Sequence, residues 1–343
     1  MIQASLEQLL DHRDLTREQA RDVMGAIMAG EATPAQIGGF LVALRLKGET
    51  PAEIAGAAEA MRSHAIMVRP KRDDLVDTAG TGGDGGKTFN ISTAAALVAA
   101  AGGAAIAKHG NRSVSSRSGS ADVLSALGVK IEIDPETAGR TLDSVGIAFL
   151  FAPLLHPAMR EVMPVRRELG TPTTFNFLGP LANPAGASRR TVGVSDPVMA
   201  ERVVRTLASL GIERALVFFG HDGLDELTVT TTSTVYELEA GDVRIYDVDP
   251  ADLGIPHAEI GALAGGDAAA NAQAVHQVFA GGEGPIRDIV ALNAAAAMLV
   301  GDVVPDLAAG VELAGAVIDD GRAAATLEAF VRASVAAREA GLG

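Results

Sequence analysis

The sequence predicts an α/β protein in which a small N-terminal all-helical domain precedes a large α/β domain with a central, mainly parallel sheet surrounded by helices. Helix-start signals crowd into the first 66 residues, whereas from Leu75 onward short apolar runs alternate with helical segments. Such alternation is typical of βαβ units and therefore of a parallel sheet. The chain has 343 residues, enough for one large domain and a smaller one.

The helices of the N-terminal region begin at capping boxes, in which a threonine is followed three residues later by glutamine or glutamate. The pairs are Thr16 with Gln19, Thr33 with Gln36 and Thr50 with Glu53. Pro34 and Pro51 take first helical positions, where proline removes no hydrogen bond. We expect short antiparallel helices that form one domain over residues 1–68, with residues 69–343 as the large domain.

The large domain combines predicted strands with predicted helices. Apolar runs predict strands at 104–107, 129–133, 147–151, 191–194 and 215–219. Alternating polarity over 235–246 predicts a hairpin. Gly128 and Gly211 end helices, and Asp134 with Pro135 begins one. Further helices are predicted over the stretches rich in alanine and valine, 268–280, 285–301, 305–318 and 322–340.

Composition limits the classes of function. The net charge of −15 argues against a nucleic-acid partner, because proteins that bind nucleic acid carry basic surfaces. The absence of cysteine excludes a disulfide scaffold, and the N-terminus lacks the basic and apolar regions of a secretion signal. Glycines interrupt the long alanine-rich runs, so no membrane span is expected. We expect a soluble cytoplasmic protein.

A glycine-rich segment at 80–93 fits two nucleotide-binding templates incompletely. Gly80, Gly82 and Gly85 match a dinucleotide fingerprint, but residues 99–107 contain no acid to bind a ribose. Lys87 lies in a partial Walker A match whose first glycine would fall on Thr81. The remaining interpretation is a phosphate-binding loop, because its glycines expose backbone N–H groups just before a predicted helix at 94–101.

Two further loops carry polar side chains after predicted strands. Residues 108–116 follow the apolar run 104–107 and consist almost entirely of hydrogen-bond donors suited to phosphate oxygens and hydroxyls. Asp225 and Glu226 follow the run 215–219, at the end of a strand where open α/β sheets bind ligands. Adjacent carboxylates suit Mg²⁺, which also takes waters and substrate phosphates as ligands. A solvated acidic turn is the alternative interpretation.

The three loops belong to a longer series of motifs, at 77–84, 88–93, 108–116, 118–122, 156–159, 164–170, 175–184 and 223–226. In this order the motifs resemble those of the anthranilate phosphoribosyltransferases, and the resemblance covers nearly the whole chain. It implies transfer of the phosphoribosyl group of 5-phosphoribosyl 1-pyrophosphate to the amine of anthranilate, the second step of tryptophan synthesis from chorismate. It also implies two Mg²⁺ ions, a homodimer formed through the helical domain, and a segment near 160–180 that joins that domain in space.

The same resemblance implies the residues of the site. Those for phosphoribosyl pyrophosphate are Gly80, Gly83, Asp84, Thr88, Asn90, Ile91, Ser92, Thr93, Lys108, His109, Gly110, Asn111, Arg112, Ser113, Val114, Ser115, Ser116 and Ser120. Those for the metal are Ser92, Asp225 and Glu226, and the catalytic set is Asp225, Glu226, Lys108 and His109. Those for anthranilate are Gly80, Asn111, Arg166, His109 and His156.

Several roles have alternatives. The guanidinium of Arg166 suits the carboxylate of anthranilate, but a surface ion pair with Glu161 or Glu168 is the alternative. We assign His109 a positioning role, because an arylamine already carries a free lone pair; a buried structural histidine is the alternative. Lys87 and Arg167 are interpreted as solvated charges. The segments 172–173 and 230–234 depart slightly from the family pattern.

Three other functions are compatible with parts of the pattern. A pyrimidine nucleoside phosphorylase shares the two-domain architecture but has a different phosphate signature. A non-enzymatic relative that binds nucleic acid would be basic and would lack the acidic pair at 225–226. A P-loop nucleotide hydrolase fails on the frame of the Walker motif.

Overall fold

The computed structural model describes residues 1–82, 88–113 and 117–336. Its N-terminal part is helical, with α1 (Ile2–Leu10), α2 (Arg17–Met28), α3 (Pro34–Lys47) and α4 (Pro51–Ser63). All three predicted capping boxes form: each threonine side chain accepts the backbone N–H three residues on, and that residue's side chain accepts the threonine N–H. Both predicted prolines begin their helices.

A sheet of seven strands forms the centre of the large domain. The strands are β1 (Leu75–Gly80), β2 (Ala105–Gly110), β3 (Ile147–Phe151), β4 (Arg189–Gly193), β5 (Arg214–Gly220), β6 (Ser233–Glu239) and β7 (Asp242–Val248). Their order is β3-β2-β1-β4-β5-β6-β7. The first five strands in this order pair in parallel, and β6 and β7 are antiparallel additions at one edge.

Eleven further helices connect the strands or follow the sheet within the described residues. They are α5 (Ile91–Gly102), α6 (Ser120–Ala126), α7 (Pro135–Val145), α8 (Ala152–Leu155), α9 (Met163–Leu169), α10 (Phe175–Leu178), α11 (Pro197–Ser209), α12 (Ala268–Phe279), α13 (Pro285–Val300), α14 (Leu307–Asp319) and α15 (Arg322–Ala336). Short 3₁₀ turns lie at Pro157–Glu161, Gly179–Leu181, Pro250–Leu253 and Ile260–Leu263. Among the described residues, no helix combines the length and hydropathy that a membrane span requires.

Among the described residues, buried apolar side chains form two large clusters, on opposite faces of the sheet, and a smaller third cluster around Leu75, Leu142 and Leu150. One contains α5 and α13, which pack against each other, together with Ile106 and Leu216. The other joins the core of the helical part to α11 and to Val192 of β4. Val165 and Phe175, which lie on α9 and α10, belong to this second cluster. The chain around these two residues therefore packs with the N-terminal helices.

Two of the sequence predictions about strands were wrong. Residues 129–133 are not a strand: Val129, Ile131 and Ile133 are buried in alternation, but no neighbouring strand pairs with them. Instead the N–H of Lys130 donates to Ser334 Oγ on α15 at 3.0 Å. Conversely, β1 was not among the predicted runs, because polar Asp77 lies within it. The predicted hairpin is confirmed as β6 and β7.

Candidate active site

The candidate site lies where β1, β2, β4 and β5 end. The strand order runs outward from β1 through β2 on one side and from β4 through β5 on the other, so the strand order reverses between the parallel strands β1 and β4. Ligands of open α/β sheets bind beyond the carboxyl ends of the strands at such a switch point. All three loops selected in the sequence leave the sheet at this edge.

The first loop leaves β1 at Gly80 and contacts the acidic pair. The N–H of Gly82 donates to Asp225 Oδ2 at 2.8 Å. A Cβ atom on Gly80 would lie only 2.6 Å from the same oxygen, so a side chain there would displace the Asp225 carboxylate. Gly83, Asp84 and Lys87 lie outside the described residues.

The N-terminus of α5 forms the next side of the site. Thr88 is bridged to Ala264, and the buried Ile91 fixes the start of the helix in the core. Asn90 donates from Nδ2 to the carbonyl of Ser118 at 3.1 Å. The Ser92 N–H donates to Glu226 Oε1 at 3.2 Å. The first turn of α5 thus faces the acidic pair.

Thr93 and Asn271 add detail to this turn. The hydroxyl of Thr93 is buried without a hydrogen-bond partner in the described part of the chain. The Asn271 side chain on α12 donates to Asn90 Oδ1 at 2.8 Å and accepts the N–H of Gly266 at 2.7 Å. Asn271 was not selected from the sequence, and its contact with Asn90 spans 181 residues of chain. It holds the side chain of Asn90 in place.

Lys108 joins the strand ends beneath the site. Its buried Nζ donates to the Thr78 carbonyl at 2.6 Å, to the Thr78 hydroxyl at 3.2 Å and to Ser92 Oγ at 3.3 Å. Burial lowers the pKa of Lys108, and the negative charges of Asp77 and Glu226 oppose that shift. The ammonium group is therefore a fixed donor between β1, which carries Thr78, and the first turn of α5, which carries Ser92.

His109 and His156 form a buried pair of rings beside Lys108. The ring centroids are 5.0 Å apart, and His109 Nδ1 lies 3.1 Å from the carbonyl oxygen of Gly179. Burial lowers the pKa of His109 to about 4, and burial together with neighbouring His109 lowers that of His156 to about 3. A carbonyl only accepts, so Nδ1 of His109 carries the proton and Nε2 has an unshared lone pair.

The second loop begins at Gly110, Asn111, Arg112 and Ser113, and Val114, Ser115 and Ser116 lie outside the described residues. Asn111 is exposed, and its carbonyl accepts the Ser120 hydroxyl at 3.3 Å. Arg112 pairs with Asp122 at 3.0 Å, so its guanidinium is engaged by a carboxylate in this conformation. Ser113 N–H also donates to Asp122, at 3.1 Å. Asp122 therefore organises the described part of this loop.

Arg166 lies on α9 and is half-buried. Its guanidinium stacks 5.4 Å from the centre of the Phe175 ring and lies 3.4 Å from Asn176 Oδ1. Burial lowers the pKa of Arg166. Within residues 1–82, 88–113 and 117–336 it forms no ion pair with Glu161 or Glu168, so the alternative that treated it as a surface ion pair was wrong. The Phe175 ring and the Asn176 side-chain amide hold the guanidinium of Arg166 in one orientation.

The acidic pair is the part of the site suited to a metal. Asp225 is buried and Glu226 is half-buried, and the two carboxylates accept the backbone N–H groups of Gly82 in the first loop and of Ser92 on α5. Among the described residues, no group of three or more His, Asp or Glu side chains could hold an ion alone. Two carboxylates with the Ser92 hydroxyl form an all-oxygen set that fits Mg²⁺, whose remaining ligands are normally waters and substrate phosphates.

The buried ion pair of Asp77 and Arg190 holds the backbone of His109 in place. The sequence analysis did not identify this role. Asp77 Oδ1 accepts the N–H of His109 at 3.0 Å, and Asp77 Oδ2 lies 3.5 Å from Arg190 Nη1. Arg190 also donates to the carbonyl of Pro180, beside Gly179. Burial raises the pKa of Asp77 and lowers that of Arg190, and each is opposed by the other's charge. The available signal in the sequence was a charged residue, Asp77, directly after the apolar residues Leu75 and Val76.

Comparisons with known proteins agree with this geometry. Family models described as "Glycosyl transferase family, helical bundle domain" and "Glycosyl transferase family, a/b domain" match residues 3–65 and 72–324. The chain is 50% identical over 327 residues to the anthranilate phosphoribosyltransferase of Symbiobacterium thermophilum, covering 95% of this chain and 96% of the relative. It is 52% identical over 334 residues to that of Anaeromyxobacter dehalogenans, covering 97% and 99%.

Solved structures give the same result. The crystal structure of anthranilate phosphoribosyltransferase from Thermus thermophilus has a TM-score of 0.91 and 46% identity, covering 96% of this chain and 99% of that one. The Saccharomyces cerevisiae enzyme in complex with PRPP and Mg has a TM-score of 0.90 and 28% identity, covering 98% of both chains. The chain belongs to the anthranilate phosphoribosyltransferase family, within the glycosyl transferases.

Proposed function

We propose that this protein is a pentosyltransferase that joins anthranilate to the phosphoribosyl group of 5-phosphoribosyl 1-pyrophosphate. The bond between C1 of the ribose and the diphosphate breaks, and its electron pair leaves with the diphosphate. The nitrogen lone pair of anthranilate forms the new bond to C1, and one amine proton leaves. The observation that carries the proposal is that the Gly82 N–H and the Ser92 N–H at the α5 N-terminus donate to the acidic pair, while Lys108 donates to the hydroxyl of the same Ser92.

Charge stabilisation supplies most of the rate enhancement in such a reaction, because the sugar becomes positive while the leaving group becomes negative. The N–H groups of Gly82 and Ser92 donate to Asp225 and Glu226, and further N–H groups of the first loop and of the α5 N-terminus would be available to an anion. Lys108 is held by two Thr78 oxygens and adds a cation that cannot move away as the negative charge develops. These groups would bind the phosphates of the sugar.

A divalent cation would be held by Asp225, Glu226 and the hydroxyl of Ser92, and we propose two Mg²⁺ ions per site. When bound, Mg²⁺ supplies charge neutralisation to the departing diphosphate. Support comes from the oxygen-only ligand set and from the yeast relative solved with PRPP and Mg. The two carboxylates contact Gly82 and Ser92 N–H groups, so the loops that bind phosphate also orient the metal ligands.

Toward anthranilate, His109 would accept a hydrogen bond through Nε2 rather than donate one. Its Nδ1 is committed to the Gly179 carbonyl and its lowered pKa keeps the ring neutral near pH 7. Nε2 can therefore accept an N–H of anthranilate and direct the nitrogen lone pair toward C1. Arylamines need no deprotonation before attack, so positioning is the contribution that this ring can make.

Arg166 would bind the carboxylate of anthranilate, with Asn111, His156 and the backbone of Gly80 completing the subsite. Its guanidinium is fixed by Phe175 and Asn176, so little side-chain entropy remains to be lost on binding. Thermus and yeast relatives share this architecture, and yeast structures contain 4-fluoroanthranilate.

At the level of domains we propose that residues 1–68 with about 160–180 form one unit and the rest the other. The packing of Val165 and Phe175 with the N-terminal helices supports this division. Backbone hydrogen bonds from Ile66 to Leu155 and from Val68 to Pro184 mark the connection. We also propose a homodimer through the helical unit, supported by exposed Leu10 and Leu46, and a cytoplasmic location, where a charged sugar phosphate is retained.

The test of this function follows the fluorescence of anthranilate with the purified chain, phosphoribosyl pyrophosphate and Mg²⁺. We expect fluorescence to fall only when all three are present, and the double variant Asp225→Asn, Glu226→Gln to have much lower turnover and a higher Mg²⁺ requirement. Unchanged fluorescence with the wild-type chain would refute the proposal. Phosphorolysis of thymidine or uridine would indicate a nucleoside phosphorylase instead.

A further inference from the structure

One buried amide contacts the backbone directly after the acidic pair. Asn293 lies in the middle of α13, where its neighbours are apolar and buried. Its Oδ1 accepts the N–H of Leu227 at 3.0 Å, and its Nδ2 donates to the carbonyls of Leu227 at 2.8 Å and Ile289 at 2.9 Å. The side chain therefore satisfies both polar groups of the residue that follows Glu226.

Within the described residues, the segment that carries the acidic pair is not held at Leu227 by hydrogen bonds of a helix or a strand. Residues 221–232 contain no helix or strand, and Leu227 is fully buried. In the parts of the chain that the structure describes, no backbone–backbone hydrogen bond involves the N–H or carbonyl of Leu227. Buried backbone groups must be paired, and here a side chain from α13 replaces a neighbouring strand.

Asp222 holds the other end of the same segment. Its Oδ1 accepts the N–H of Leu224 at 3.1 Å, and its Oδ2 accepts the hydroxyls of Thr228 at 2.6 Å and Thr230 at 2.5 Å. Thr230 is the first residue of the stretch 230–234, which departs from the family pattern. Asp222 and Asn293 thus fix the backbone on both sides of residues 225–226.

We propose that Asn293 and Asp222 are positioning residues for the metal-binding carboxylates of Asp225 and Glu226. The inference relies on the metal site of the proposed function. A carboxylate binds a cation well only when its backbone is held in one place, and outer partners of metal ligands commonly change metal affinity by roughly 10- to 100-fold. Asn293 suits this task because its amide supplies an acceptor and a donor together, which neither an ionised Asp nor a Leu can do.

The test measures Mn²⁺ affinity rather than activity. Electron paramagnetic resonance of free Mn²⁺ is titrated with each full-length protein at saturating phosphoribosyl pyrophosphate, and the substrate alone supplies the background. We expect Asn293→Ala to weaken Mn²⁺ binding roughly 10- to 100-fold and Asp222→Ala by roughly 3- to 10-fold. Turnover should fall, while the KM for anthranilate should change little.

Ser334→Ala is the matched control. Ser334 is also a buried side chain that accepts a backbone N–H, that of Lys130, but it lies on α15 away from the acidic pair. Its loss should lower the melting temperature and leave Mn²⁺ affinity unchanged. If Asn293→Ala does not fold, Asn293→Asp keeps the shape and one acceptor, and exposed Asp222 can be replaced without opening the core.

The outcomes separate the two levels of proposal. Folded Asn293→Asp and Asp222→Ala proteins that bind Mn²⁺ as tightly as the wild type would overturn the positioning role and leave the proposed function intact. A wild-type protein that binds no more Mn²⁺ than the substrate alone would instead refute the metal site itself. Weakened binding in both variants with an unchanged Ser334→Ala protein supports the inference.

Discussion

Individual charged residues in this site are held in low-dielectric surroundings by specific partners. Lys108 has three oxygen contacts, and Asp77 pairs with Arg190 although both are almost fully buried. Burying a charge is unfavourable unless it is paired or hydrogen-bonded, and removing one member leaves the other without compensation. The arrangement therefore fixes the geometry of His109 and the strand ends before any substrate binds.

Arg166 provides the first prediction at this scale. Replacing it by alanine should raise the KM for anthranilate roughly 10- to 100-fold, equivalent to ~1.4–2.8 kcal/mol, because the charged hydrogen bonds from the guanidinium to the anthranilate carboxylate are lost. The KM for phosphoribosyl pyrophosphate should change far less. Steady-state kinetics with each substrate varied would check this. Neighbouring Arg167 is exposed, so Arg167→Ala is the control; equal effects on both KM values would contradict the assignment.

The buried histidines predict a pH dependence of stability. Their folded pKa values, about 4 for His109 and about 3 for His156, lie below the usual 6.5, so the unfolded chain binds more protons as pH falls. The free energy of unfolding is therefore unaffected by these two histidines above pH 6.5. It falls as the pH drops below 6.5 toward 4 for His109 and 3 for His156. Each histidine should add up to ~1.4 kcal/mol of destabilisation per pH unit within this window.

Thermal unfolding between pH 7 and 5 would measure this, because ordinary carboxyl groups titrate mostly below that range. His156→Phe keeps a ring but cannot bind a proton, so its melting temperature should fall less with pH than that of the wild type. His276→Asn, at an exposed position on α12, should keep the wild-type slope. Identical slopes in all three proteins would show that His156 titrates normally.

Site residues differ in how far sequence could predict them. Lys108, Ser92, Asp225 and Glu226 lie in short motifs, and the structure brings them together. Roles for the supporting residues depend on contacts between distant segments: Asn293 lies 66 residues from Leu227, and Arg190 lies 113 residues from Asp77. No local pattern encodes such a contact. A buried amide in an alanine-rich helix was the signal for Asn293.

Elements were predicted well where local chemistry determines them. The capping boxes fixed the starts of α2, α3 and α4 because threonine and its partner satisfy N–H groups within one turn. The alternation of apolar and polar residues at 129–133 resembled that of a strand. A strand requires a hydrogen-bonded neighbouring strand, and this segment contacts α15 instead. In β1 the buried Asp77 broke the apolar pattern, because that strand carries part of the site.

The end of β4 gives the prediction at this scale. A Cβ atom on Gly193 would lie 1.6 Å from the carbonyl oxygen of Asp225, and the Gly193 carbonyl accepts the Thr81 N–H at 2.9 Å. Gly193→Ala should therefore displace the acidic pair, destabilise the protein by about 1–3 kcal/mol and lower turnover at least roughly tenfold.

Denaturant unfolding and steady-state kinetics of Gly193→Ala would measure both effects. Gly261→Ala is a matched control, because a Cβ there meets nothing within 4 Å and its backbone is not left-handed. The control should keep wild-type stability and turnover. A Gly193→Ala protein with normal turnover would show that the backbone of Asp225 can shift without effect on the site.

At the scale of the whole molecule, an acidic protein must attract an anionic substrate. The net charge of −15 repels phosphoribosyl pyrophosphate at long range, and Arg112 is paired with Asp122, so Lys108 together with a bound divalent cation would have to supply the local positive charge at the sheet edge. Arg166 lies on α9, which packs against α3 of the helical part. In the proposed function each unit would supply one substrate's charged contact, so their relative position would determine whether the reacting atoms meet.

Association of two copies should help to hold the helical unit in position. Leu10 on α1 and Leu46 on α3 are 64% and 75% exposed, and these helices pack against each other. Burying such side chains between copies is favourable, and introducing a charge there opposes it. Light scattering should give twice the chain mass for the wild type and a monomer for Leu46→Lys. Ile245→Lys, at another exposed apolar position on β7, should remain dimeric; a monomeric wild type would refute the dimer.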